Sequence, residues 1–247
     1  MFVSASTECF ADLPLTEALD RLIDLEYTSV EFALIESGKQ LRPSQVLADL
    51  DRSIKLCRDT HRLTPAAYTV DMPEGPDYFK QFAACCKLAK ATKVVAIAVP
   101  AAELGTPFNA EIERLRELVE IAAVDGILVG LITEVGKLTE NPDTVIALCN
   151  NVKGLGITLD PSHYICGPHR GSYDQLIKHV VHTHLRDTKK DKLQVRVGQG
   201  EVEYGKLITQ LSMVHYHRAL SVHMQPLPEV DHHGEMRKIR LLLESLL

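Results

Sequence analysis

Eight times along this chain an apolar, β-rich run gives way to an amphipathic helical stretch. "FVSAST" precedes "LTEALDRLIDL", "SVEFALI" precedes "SQVLADLDRSIKLCRDTH", and "LTPAAYTV" precedes "DYFKQFAACCKLAKAT". The rhythm continues through "KVVAIAVP", "ILVGLITE", "LGITLD", "VVHTHLRD" and "ALSVHM", and "HHGEMRKIRLLLESLL" closes it. Strands that are apolar nearly throughout and separated by helices predict a parallel sheet covered on its outer face. Eight such units in 247 residues, without a linker or a shift in composition, predict one domain over 1–247. The fold class expected is α/β, a closed (β/α)8 barrel, with an open doubly wound sheet as the alternative.

The composition excludes several classes. A net charge of −6 does not supply the basic footprint that phosphate binding needs, so no nucleic-acid partner is expected. No apolar run is long enough to cross a membrane. The start, "MFVSASTECFADLP", lacks the basic and long apolar segments of a leader. The six cysteines form no CxxC pair and read as reduced thiols of a cytoplasmic protein, with Cys85 and Cys86 packed in a helix. There is no GxGxxG or GxxxxGK[ST], and Gly198-Gln199-Gly200 alone is too short a signal for a dinucleotide loop.

Barrels of this kind carry their chemistry at the C-terminal ends of the strands. The fifth run ends in Glu134 and the sixth in Asp160. The seventh carries His182 and His184, and the eighth carries His223. Alternation along a strand puts His182 and His184 on one face, and Ser221 and His223 on one face. Singly these residues mean little. Glu134 reads as a loop acid, Asp160 before Pro161 as a turn former, and His184 as a core histidine. His223 belongs to a tail that also holds His215, His217, His232 and His233. The signal is their joint position at one end of four consecutive strands. Two carboxylates and two imidazoles suit Mn2+, Fe2+, Co2+ or Zn2+ better than the oxygen-preferring Ca2+ or Mg2+.

The stretches "LGITLDPSH", "HVVHTHLRD", "VGQGEVEYGKL" and "ALSVH" resemble, in order and spacing, the second half of the xylose isomerase-like TIM barrels. More narrowly they are similar to the sugar phosphate isomerase/epimerase group. The likeness runs from about residue 127 to the end. The first half shares only the rhythm and Glu31 in "SVEFAL". The resemblance implies a divalent metal held by Glu134, Asp160, His184 and His223. It implies that His163 sits beside the metal and touches substrate, and Glu31 stands where such barrels often carry an acid; Arg186 and Arg196 join them as candidate substrate contacts on their charge. It also implies an isomerase or epimerase that removes a proton next to a carbonyl through a metal-chelated enediolate. Glu134 and His223 are then the candidate catalytic groups. The group carries Glu where this chain has His223, and Gly where it has Ser162. The first change removes one negative charge and a carboxylate base.

Arg186, Arg196, His169 and Arg170 suggest a phosphorylated or acidic carbohydrate, unless Asp187 pairs with Arg186. Lys189, Lys190 and Lys192 read as a solvated run. Barrels of this group often pair, so a homo-oligomer is expected. Alternatives are a dehydratase of a polyol-derived ketone, and a metal- or sugar-binding barrel altered in activity. An abasic-site endonuclease is disfavoured, because "DTKKDKLQVRV" lacks the extra histidine ligand of that group.

Overall fold

The computed structural model describes residues 1–169 and 173–247. Eight parallel strands close into a barrel in sequence order. They are β1 (Phe2–Ser6), β2 (Ser29–Ile35), β3 (Thr64–Asp71), β4 (Ala96–Val99), β5 (Leu128–Ile132), β6 (Gly156–Leu159), β7 (Val180–Leu185) and β8 (Ala219–Val222). The barrel closes through β1 on β8, with Val3 opposite Leu220 and Ala5 opposite Val222. The strands are buried on both faces, as expected, and apolar except for an interior layer that includes Glu31, Thr69, His182, His184 and Ser221.

Around them lie α1 (Leu15–Asp24), α2 (Pro43–Ala48), α3 (Leu50–Arg58), α4 (Tyr78–Ala91), α5 (Phe108–Val124), α6 (Pro142–Asn151), α7 (Ser162–Cys166), α8 (Tyr204–Met213) and α9 (His232–Glu244). Each longer helix turns one stripe inward. In α1 it is Ala18, Leu19 and Leu22, and in α9 it is Met236, Ile239 and Leu243. Cys85 and Cys86 are buried in α4 as free thiols, as their setting in the sequence suggested.

Two expected helices differ. The stretch 44–61 is broken at Asp49, whose backbone (φ −149°, ψ 86°) leaves the helical region. Its side chain accepts the Arg52 N–H at 3.0 Å, so the residue restarts the helix as a cap. After β6 the chain forms the short α7. The stretch expected as a helix from Ser172 is a 3₁₀ helix over Asp174–His179, and Ser172 itself lies outside the described residues.

The register slips at two places that matter for the interior. Glu31 follows Val30 on β2, but their partners on β3 are Pro65 and Ala67. Thr158 follows Ile157 on β6, but their partners on β7 are Val180 and His182. Each slip is a bulge, which bends a strand and re-aims the side chains beside it. The bulges stand next to Glu31 and His182, which meet inside the barrel. Val181, the extra residue on β7, packs where a side chain at Gly156 would stand, so a larger residue there would have to displace it.

Candidate functional site

The barrel interior holds a polar layer. Glu31 is fully buried, and its carboxylate is the common acceptor of four groups. His184 Nε2 lies 2.8 Å from Oε1, and His182 Nε2 lies 2.9 Å from Oε2. The Thr69 hydroxyl donates to Oε1 and the Ser221 hydroxyl to Oε2. A carboxylate only accepts, so each imidazole presents its Nε2–H to it. Burial pushes the Glu31 carboxyl up, but the two histidines outweigh it and hold it well below the ordinary carboxylate value. Burial lowers His184 from its usual value.

Glu31, His182 and His184 are also the one group among the described residues that brings three such donors within 4.8 Å of one another. As a donor set it could take a divalent ion. As the side chains stand, every atom facing the centre of that group is already hydrogen-bonded.

Above this layer, at the C-terminal ends of the strands, lies a cavity of about 290 Å3. Glu134, Asp160, His163, His184, Arg186 and His223 line it, together with Glu8. Thus all four expected metal ligands reach one cavity. Each stands within two residues of a strand end or, for His184, just inside it.

They are not free of one another. Arg186 Nη2 donates to Asp160 Oδ2 at 2.7 Å and to His223 Nδ1 at 2.7 Å. Because His223 Nδ1 accepts, its proton is on Nε2, which donates to Glu8 Oε2 at 2.9 Å. The rings of His184 and His223 stack with centroids 4.4 Å apart and planes within 8°. Imidazole lone pairs lie in the ring plane, so two parallel stacked rings cannot both aim theirs at one ion. With a guanidinium nitrogen on Asp160 and His223 as well, the four donors do not form a cradle for a metal in this arrangement.

Charge in the cavity is arranged in a chain. Burial raises the Asp160 carboxyl, but Arg186, His163 and the Ser162 hydroxyl overcome that and bring it down to about 2. Asp160 Oδ1 accepts the Ser162 N–H at 3.0 Å and also the Ser162 hydroxyl, and only the hydroxyl contact is a use for serine where the group has glycine. Burial pushes Glu8 up as well, and the His223 contact carries it below its ordinary value.

Glu134 differs from both. Its side chain makes no hydrogen bond with a described residue. Burial raises its carboxyl, against the pull of Lys137 and Arg186. His163 Nδ1 accepts the Val135 N–H at 3.1 Å, which leaves Nε2–H directed to Asp160 Oδ2, 3.6 Å away. Burial lowers the pKa of His163.

The remaining expected residues divide. Glu31 lies beneath the cavity with no exposed surface, where it orients His182 and His184 instead of meeting a ligand. Arg196 is exposed and is not among the residues lining the cavity. His169 is exposed, 3.5 Å from Glu140, and Arg170 lies outside the described residues. Asp187 does not pair with Arg186. Its carboxylate accepts the backbone N–H groups of Gly198 at 2.8 Å and Gly200 at 2.9 Å, so the "GQG" segment is an anchored loop. Glu8 was missed by sequence reading. Its signal was an acid two residues past the end of the first apolar strand.

The family model described as xylose isomerase-like TIM barrel matches residues 19–240, and the chain belongs to that family. No curated protein matches the chain in sequence. Three solved structures are similar over nearly the whole chain. A xylose isomerase-like TIM barrel protein from Mycobacterium smegmatis in complex with magnesium is 14% identical, with a TM-score of 0.78, covering 99% of this chain and 95% of its own. The 3-keto-D-glucoside 4-epimerase YcjR from E. coli is 15% identical, with a TM-score of 0.76, covering 99% of each chain. The probable 3-DHS dehydratase AsbF from Bacillus anthracis is 16% identical, with a TM-score of 0.73, again covering 99% of each. At these identities the likeness establishes the shared barrel. No helix among the described residues is long and apolar enough to cross a membrane.

Proposed function

We propose that this cavity isomerises or epimerises a small carbohydrate by moving a proton at a carbon next to a carbonyl. The observation that carries the reading is Glu134, a carboxylate with no hydrogen bond to a described residue, on the wall of a cavity that also holds a guanidinium. Burial raises its basicity, the direction that suits a carboxylate to take a proton from carbon. In the step, Glu134 accepts the α proton. The C–H electron pair becomes the C=C bond, and the carbonyl π pair moves onto oxygen, giving an enediolate. Return of the proton to the neighbouring carbon, while the hydroxyl proton of the first carbon passes to the other enediolate oxygen, isomerises; return to the opposite face of the same carbon epimerises. No electron or co-reactant is left over.

Arg186 faces the oxygen that gains charge, and His163 meets a substrate hydroxyl. The cavity volume lies at the lower end for small-molecule sites, which agrees with a single sugar unit. An acidic or phosphorylated group on that sugar would look to Arg186.

A second reading keeps a divalent ion, Mn2+, Co2+, Zn2+ or Fe2+, on Glu134, Asp160, His184 and His223. In its favour, His184 uses only Nε2 on Glu31, so its Nδ1 has no hydrogen bond among the described residues, and a similar barrel holds magnesium. It requires Arg186 to leave Asp160 and His223, and one of the stacked His184 and His223 rings to turn. A lyase would share the first proton transfer and then expel a hydroxyl, and AsbF is the similar structure that bears on it.

The test is a panel of ketoses and aldoses, free and phosphorylated, incubated in heavy water with and without added Mn2+ and Co2+. Deuterium at the carbon next to the carbonyl is the expected result. A panel that exchanges no proton under any condition overturns the proposal.

A further inference from the structure

We infer that the Arg186 guanidinium is the resident cation of this cavity, standing where the pattern of strand-end donors would hold a metal ion, and that removing it uncovers a divalent-metal site. The geometry is specific. One nitrogen, Nη2, lies 2.7 Å from Asp160 Oδ2 and 2.7 Å from His223 Nδ1. Its two hydrogens occupy one acceptor lone pair on each, and those are the lone pairs that an ion bridging the two residues would need.

The neighbours hold this arrangement in place. Glu8 fixes the His223 ring through Nε2, in the tautomer that offers Nδ1 to the arginine. The stacked His184 ring fixes its plane. Arg186 and Asp160 are 8% and 1% exposed, so the pair is sheltered from solvent screening. A dication brought beside a buried guanidinium would meet repulsion in a medium of low dielectric. The residue at 223 favours the same arrangement. A carboxylate there would put a second negative charge beside Asp160 and favour a dication, whereas a neutral imidazole accepts one N–H and is satisfied by the arginine alone.

The arrangement leaves the guanidinium with work to do. Among the described residues only Nη2 is engaged, and neither Nη1 nor the buried Nε has a hydrogen bond. Because Arg186 lines the cavity, that nitrogen is available to a ligand oxyanion.

The experiment is calorimetric titration of untagged, chelator-treated protein with Mn2+, without substrate. Mn2+ is chosen because the exposed histidines His215, His217 and His233 hold it less well than Zn2+. Wild type is expected to show no saturable uptake, and Arg186→Met to bind one equivalent that the added change Asp160→Asn removes. Arg186→Lys, which keeps a positive charge, should stay metal-free. Circular dichroism establishes that each variant is folded. Saturable uptake by wild type that Asp160→Asn abolishes overturns the inference, whether or not Arg186→Met folds. A folded Arg186→Met protein that binds no Mn2+ overturns it as well. Metal uptake is read without turnover, so its outcome is separate from that of the proton-exchange panel.

Discussion

His184 Nε2 stands 2.8 Å from Glu31 Oε1, a contact between β7 and β2 across the barrel interior, 153 residues apart in sequence. The same carboxylate serves His182, Thr69 and Ser221. Glu31→Leu removes the shared acceptor and leaves four buried donors facing an apolar side chain. Glu31→Gln keeps one oxygen, and its NH2 can serve one imidazole in the other tautomer. The expected loss of stability is about 4 kcal/mol or more for the leucine variant and about half that for glutamine. Urea unfolding at neutral pH measures both. Equal losses would mean that the carboxylate is not the hub.

Glu134→Gln retains the shape of the side chain and removes its basicity. Because the side chain makes no hydrogen bond with a described residue, the melting temperature should change little. Solvent-proton exchange on the reactive sugar should fall by about two to four orders of magnitude. Undiminished exchange in a folded variant would assign the base to another group.

Acid stability depends on Asp160. Its carboxyl is depressed from 3.8 to about 2, by Arg186 above all among the groups that oppose burial. A depressed acid contributes stability above its unfolded value, and that contribution is lost as pH falls through the folded one. Wild type should therefore lose about 2 kcal/mol on this account between the two values. In Asp160→Asn the loss over the same interval should be smaller by that amount, from a lower starting stability. Parallel acid limbs for the two proteins would show that Asp160 is not held ionised by the arginine.

Gly156→Ala places a methyl group against the bulged Val181 side chain. Overpacking of this kind costs about 1–3 kcal/mol. Val181→Ala should relieve it, so the double variant should be more stable than the sum of the two single losses predicts. Thermal melts of the four proteins measure the coupling, and strict additivity would mean that the two positions do not touch.

The sequence by itself determined the barrel. Apolar runs of the length of one strand, spaced by amphipathic helices, can bury their surface in few other ways. It also determined which strands bring acids and histidines to one rim, because strand direction fixes which end those residues occupy. What it could not determine was how the side chains pair once there. Glu31 and Arg186 both read as ligand-facing residues, yet one lies sealed beneath the cavity and the other bridges two expected ligands. Those outcomes depend on bulges opposite Val30–Glu31 and Ile157–Thr158, on a hydroxyl from β8 and on an acid just after β1. A side chain's partner inside a closed barrel is set by contacts between strands distant in sequence. Local pattern fixes the face on which a residue lies, and only the packed interior fixes what it meets.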